Sequence, residues 1–140
     1  MEDVSDLIKI AINAASNAYA PYSKFKVGCA LRASSGKVYA GCNVENVSYP
    51  VGTCAEAGAI AAMVCGGDSK IKDILIYADS DKLISPCGAC RQRIVEFSDK
   101  DTKVYLSDDE FNGKQTQFEV LQVENEKELF IFYEMHEDLW

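Results

Sequence analysis

Cys54-Ala55-Glu56 is followed, 33 residues beyond Cys54, by Pro86-Cys87-Gly88-Ala89-Cys90. A fold that uses these groups together must bring two distant segments to one point. Thiolates are soft ligands that suit zinc, and a catalytic zinc is held by three protein ligands with a fourth position left open. Cys54, Cys87 and Cys90 supply three such ligands. The single histidine, His136, lies near the end of the chain outside any ligand spacing, so the missing fourth ligand favours a catalytic site over a closed structural one. Glu56, two residues after Cys54, can lie beside the metal without binding it. That is where a general base for a metal-activated water belongs.

The chain has 140 residues, 48% of them hydrophobic, enough for one domain spanning 1–140 with a sizeable core and too few for two. Its formal net charge of −8 argues against nucleic acid, whose binding relies on Lys and Arg neutralising phosphates. A small, uncharged substrate fits better. The chain starts Met1-Glu2-Asp3 with no long apolar stretch behind it. The six cysteines therefore point to a cytoplasmic protein with reduced thiols, not to a secreted disulfide framework. No run approaches the length of a membrane span.

Val4, Leu7, Ile8, Ala11, Ala14, Ala15 and Ala18 recur at three- and four-residue steps, predicting an amphipathic helix that ends at Ala20-Pro21. From Phe25 the period becomes two, through Val27, Cys29, Leu31 and Ala33. Ser34-Ser35-Gly36-Lys37 then turns the chain into Val38, Ala40 and Cys42, which reads as a β-hairpin. A loop from Asn43 to Thr53 leads to a second helix, Ala55 to about Cys65, stopped by Gly66-Gly67. Ile74 to Ala78 reads as a strand buried on both faces, Pro86 opens a third helix of about Cys87 to Phe97, and strands follow at Lys103 to Leu106 and Thr116 to Leu121. The segment after Glu124 is ambiguous. This order predicts an α/β fold, a three-layer α/β/α arrangement around a mixed sheet of about five strands. Both ligand segments fall at helix N-termini, where dipoles and free N–H groups stabilise thiolate charge.

Taken singly, the motifs have plainer readings. Thr53-Cys54-Ala55-Glu56 is also a capping box, with Thr53 as the cap. Cys87 and Cys90 alone suit half a structural zinc site or a redox pair. Phe25 would ordinarily be core, Asn43 and Glu45 would make turn hydrogen bonds, and His136 would be solvated. Cys29, Cys42 and Cys65 read as buried packing residues.

The set taken together resembles the cytidine deaminases, specifically the small, zinc-dependent, homotetrameric kind with three cysteine ligands; the spacing is a known signature of zinc deaminases. The resemblance runs from the first helix to about Leu106. It is carried by Tyr19-Ala20-Pro21-Tyr22-Ser23-Lys24-Phe25-Lys26-Val27-Gly28, Gly41-Cys42-Asn43-Val44-Glu45-Asn46-Val47-Ser48-Tyr49, Cys54-Ala55-Glu56 and Pro86-Cys87-Gly88-Ala89-Cys90-Arg91-Gln92.

The resemblance implies one Zn²⁺ per subunit on Cys54, Cys87 and Cys90, with Glu56 as the proton shuttle. An activated water would attack C4 of cytosine while Glu56 passes a proton to N3 and then to the departing amine, converting cytidine or deoxycytidine to uridine or deoxyuridine and ammonia in pyrimidine salvage. It also implies Phe25 packing on the pyrimidine, Asn43 and Glu45 on the ribose 3′-hydroxyl, the Ala55 N–H on the base carbonyl, and Tyr49 reaching a neighbouring subunit's site. A related aminopyrimidine nucleoside deaminase, such as one acting on blasticidin S, is the alternative. Two departures stand out. Relatives commonly carry Arg directly after the catalytic Glu, where this chain has Ala57, which leaves the helix N-termini and Arg91 to balance the thiolates. Relatives also often place a Phe shortly before a Glu-Asp-Leu end, whereas Glu137-Asp138-Leu139 here follows Phe132-Tyr133-Glu134-Met135-His136.

Overall fold

Helix α1, Ser5–Ser16, buries Leu7, Ala11 and Ala15, the stripe that its apolar period predicts. It stops short of Ala20-Pro21. Ala18 and Ala20 remain buried, but there the backbone turns outward to pair with a distant loop: Tyr19 N donates to Asn43 O at 3.0 Å and Glu45 N to Tyr19 O at 2.8 Å. The apolar pattern therefore outlasts the helix, because packing and helical hydrogen bonding part company at Asn17. The computed structural model describes residues 4–81, 84 and 86–109, with the backbone of two further strands at 116–121 and 132–133. His136 and the Glu-Asp-Leu end lie outside the described residues.

Strands β1, Val27–Ala33, and β2, Val38–Cys42, form the predicted hairpin. Helix α2, Ala55–Cys65, has the expected limits. Strand β3 runs Ile71–Ala78, three residues longer at its start than its apolar core suggested, and is buried along nearly its whole length. Helix α3, Gly88–Glu96, leads to β4, Lys103–Ser107, and strands β5, Thr116–Leu121, and β6, Phe132–Tyr133, follow.

The sheet order is β2-β1-β3-β4-β5-β6. Among the described strands only β3 and β4 pair in parallel, α3 making the crossover that such a pair requires. The mixed sheet thus has six strands against about five expected, the addition being β6 in the segment whose pattern was ambiguous.

Strand alternation divides the core into two layers. Cys29, Leu31, Ile74, Ile76, Val104 and Leu106 pack with Ala59, Ile60 and Met63 of α2 and Ile94 and Val95 of α3. Ala30, Leu75, Tyr77 and Tyr105 face the other way, onto Leu7, Ala11 and Ala15 of α1. This is the α/β/α sandwich, with α2 and α3 sharing one face. Of the three cysteines read as packing, Cys29 is buried and Cys42 half-buried, but Cys65 is exposed. It sits in the last turn of α2, on the side away from the sheet.

Gly41 allows α2 to lie directly on the hairpin. A Cβ at that position would collide with the backbone Ala55 O and Ala59 N, neither of which can move without the helix. Gly41→Ala is expected to destabilise the fold by about 1–3 kcal/mol, as overpacking does, measured by urea unfolding. A loss below about 0.5 kcal/mol, the range of an ordinary surface change, would contradict this close approach. The helix so held carries Cys54 and Glu56.

Candidate active site

Cys54 and Cys87 are the N-cap residues of α2 and α3, each with extended backbone (φ −79°, ψ 158° and φ −65°, ψ 165°). Because α2 and α3 cover the same face of the sheet, their N-termini converge. The three thiol sulfurs of Cys54, Cys87 and Cys90 lie within 4.8 Å of one another. Tetrahedral zinc with Zn–S bonds of about 2.3 Å places its sulfurs about 3.8 Å apart; the Cys54 and Cys87 sulfurs stand 3.9 Å apart. The donor set therefore fits zinc, and among the described residues no fourth ligand is grouped with the three, which would leave one position for water.

The local sequence explains this geometry. The N-cap side chain accepts no hydrogen bond from α2, which leaves its first-turn amides available to stabilise negative charge at that end. The capping-box reading fails because Thr53 is not the cap: its backbone is engaged with Val44, Thr53 N donating to Val44 O and Val44 N to Thr53 O, both at 2.9 Å. In α3 the Cys90 N–H donates to Cys87 Sγ at 3.4 Å. Burial would raise the Cys87 thiol, but N–H groups of Cys90 and Ala89 and the neighbouring thiols bring it below its ordinary value. Cys54 and Cys90 are both pushed up, chiefly by burial and further by the Glu56 carboxylate.

Glu56 is only 4% exposed, a rare state for a carboxyl group without a partner. Burial raises it above the usual carboxylate range, while its hydrogen bond with the Cys90 thiol and the nearby Arg93 pull it back. A carboxyl group poised in this way can hold a proton and release it, the property a shuttle needs.

Cys54, Cys87 and Glu56 line one wall of a cavity of about 920 Å³, with Cys90 buried; its other walls include Asn43, Glu45, Tyr49 and Ala55. Asn43 and Glu45 also hold the loop before β1. Asn43 Nδ2 donates to Phe25 O at 2.8 Å and its Oδ1 accepts from Val27 N at 2.9 Å. Glu45 Oε1 accepts from both Tyr22 N and Ser23 N at 3.1 Å, and these bonds, led by those from Ser23, hold its carboxyl below the usual value. Tyr49 sits in a 3₁₀ turn, Tyr49–Val51, and is 93% exposed at the rim of this chain's own cavity. Phe25 is half-buried just ahead of β1 and is not among the lining residues, although Tyr22, Ser23 and Val27 around it are.

The sequence reading missed Arg93. Arg91, expected beside the thiols, donates its Nε to the Pro86 carbonyl at 3.1 Å. The guanidinium seen against a thiol is that of Arg93, whose Nη1 lies 3.3 Å from Cys90 Sγ. The signal was in the spacing, since residues three apart on a helix share a face and adjacent ones do not.

The sequence model of the cytidine and deoxycytidylate deaminase zinc-binding region matches residues 1–106, a span that contains all three thiols. A cytidine deaminase from Sporosarcina psychrophila is 46% identical over 105 residues, covering 75% of this chain and 77% of the relative. One from Halalkalibacterium halodurans is 46% identical over 100 residues, covering 71% and 76%. Among solved structures, cytidine deaminase from Burkholderia pseudomallei superposes with a TM-score of 0.77 at 38% identity, over 84% of this chain and 93% of that one. Cytidine deaminase from Mycobacterium tuberculosis gives 0.69 at 36% identity, over 74% and 85%. Two helix N-termini that bring three thiols and a buried carboxyl group together beside one cavity are thus set in a chain that matches these enzymes in sequence and in fold, and the chain belongs to the cytidine deaminase family.

Proposed function

We propose that this protein catalyses the zinc-dependent hydrolytic deamination of cytidine and deoxycytidine, releasing ammonia. The observation that carries the reading is the buried Glu56 beside a cluster of three thiols, with no fourth ligand grouped with them among the described residues, at a cavity large enough for a nucleoside. When bound, zinc lowers the pKa of a water toward neutrality and so supplies the nucleophile. Glu56 would take one proton from that water and deliver it to N3 of the ring, then carry the second, from the hydroxyl gained at C4, to the departing amine, so that C4 becomes a carbonyl as ammonia leaves. The Ala55 N–H, at the uncapped start of α2, donates to the base carbonyl. Asn43 and Glu45, held rigid by the loop they brace, read the ribose 3′-hydroxyl, and Phe25 borders the pyrimidine from the same loop.

Association into a homotetramer is part of this proposal, and the apolar surface around the site suits contact between subunits. Tyr22, Val44, Val47 and Tyr49 are exposed and all line the cavity. α2 is apolar on its outer side as well, where Val64 is 50% exposed, a pattern that suits a helix covered on both sides. In such an assembly Tyr49, exposed at the rim, would reach a neighbouring subunit's cavity. No helix among the described residues is long and apolar enough to cross a membrane. The cytoplasm is the compartment in which exposed thiols such as Cys65 and Cys87 stay reduced.

The test is incubation of the zinc-loaded protein with cytidine, deoxycytidine, cytosine and cytidine monophosphate, following loss of cytosine absorbance. Both nucleosides are expected to turn over. The free base should react far more slowly, because the hydrogen bonds to the sugar are then missing, and one to a charged group such as the Glu45 carboxylate is worth about 1.5–3 kcal/mol. Cytosine reacting as fast as cytidine would remove Asn43 and Glu45 from substrate recognition. No turnover of any of the four would overturn the activity itself.

A further inference from the structure

We infer that Arg93 supplies the positive charge that balances the zinc thiolates in this chain, acting through Cys90. Three thiolates around a divalent ion leave one net negative charge, and Glu56 adds a carboxyl group beside it. In a partly desolvated site an uncompensated charge of this kind is costly. The position after Glu56, from which a side chain could reach back to Cys54, holds only Ala57. Arg93 is the cation among the described residues that line the cavity, and its Nη1 lies 3.3 Å from Cys90 Sγ. It stands three residues after Cys90 on α3, so the contact follows from helix geometry and needs no distant loop. The planar guanidinium fork suits it to donate to a thiolate and keep its charge. Arg93 is thus a positioning residue for the metal site, since it touches a ligand and not the reacting atoms.

The inference rests on the zinc reading of the thiol cluster, and its test reads metal affinity, not turnover. Zinc affinity is measured by competition with a chromogenic chelator at neutral pH for the parent protein, Arg93→Met, Arg93→Lys, and Arg93→Met combined with Ala57→Arg. Loss of a group that supports a metal ligand typically weakens binding about 10–100-fold, and Arg93→Met is expected to fall in that range. Arg93→Lys should lose less, because it keeps the charge and gives up only the fork. Ala57→Arg should restore most of the affinity lost in Arg93→Met, because positions 54 and 57 are three apart on the first turn of α2 and an arginine there reaches Cys54. Arg93 is exposed, so the variants are expected to fold; should Arg93→Met not do so, Arg93→Gln against Arg93→Lys makes the same comparison. Equal affinity of the parent and Arg93→Met overturns the inference alone. Equal losses in Met and Lys overturn it too, since shape and not charge would then matter. A parent that holds no zinc overturns it together with the zinc site.

Discussion

Glu56→Gln is expected to lower deamination of cytidine by roughly 10⁴-fold, the upper end of what one general acid–base group contributes, while zinc content and fold remain those of the parent. The upper end applies because Glu56 is asked to make two proton transfers: one from the water to N3, and a second from the hydroxyl gained at C4 to the leaving amine. Glutamine has almost the same shape, so it fills the site left by a residue only 4% exposed without opening a cavity. It cannot accept and return a proton. Its amide keeps a hydrogen-bonding partner beside Cys90, so the thiol cluster should still assemble. The measurement is kcat together with zinc content by atomic absorption. Full turnover in Glu56→Gln would sink the mechanism, and loss of zinc in that variant would show that Glu56 acts on the metal site and not on the proton.

Cys87→Ser separates the ligand from the helix it caps. Cys87 is the N-cap of α3 and accepts from Cys90 N, and serine is among the preferred residues at that position. The exposed Cys87 side chain contributes little to the core. Helix α3 should therefore form at least as well as in the parent, whereas a neutral hydroxyl is a far poorer zinc ligand than a thiolate. The expected result is zinc below about a tenth of the parent's, consistent with the loss of one of three ligands. Turnover should fall by at least about 10³-fold, with far-ultraviolet circular dichroism unchanged. Retention of one zinc per subunit by Cys87→Ser would mean that the thiol cluster is not the metal site.

Much of this site was legible in the chain because its chemistry depends on residue type and short spacing. Cys87 and Cys90 lie one helical turn apart, and Glu56 follows Cys54 by two, so each pair could be placed at a helix start from local rules alone. The helix limits of α2 were legible because Gly66-Gly67 closes it. The end of α1 was not, since Ala18 and Ala20 keep the apolar pattern while their backbone has left the helix to meet Asn43 and Glu45. Cys65 was misjudged for a related reason: α2 is apolar all round, so pattern alone does not say which side faces the sheet. The capping box at Thr53 was a correct local motif defeated by a tertiary one, the pairing of Thr53 with Val44.

By itself the sequence singled out the three candidate thiols, the carboxyl group beside them and the alternation that makes a two-faced sheet, because these follow from chemistry and periodicity within a few residues. Only the tertiary structure decided that α2 and α3 share one face of that sheet, which brings Cys54 within 3.9 Å of Cys87 across 33 residues of chain. It also decided which arginine meets the thiols. Arg91 and Arg93 are equivalent as charges, but one helical turn places Arg93 against Cys90 and sends Arg91 to the Pro86 carbonyl.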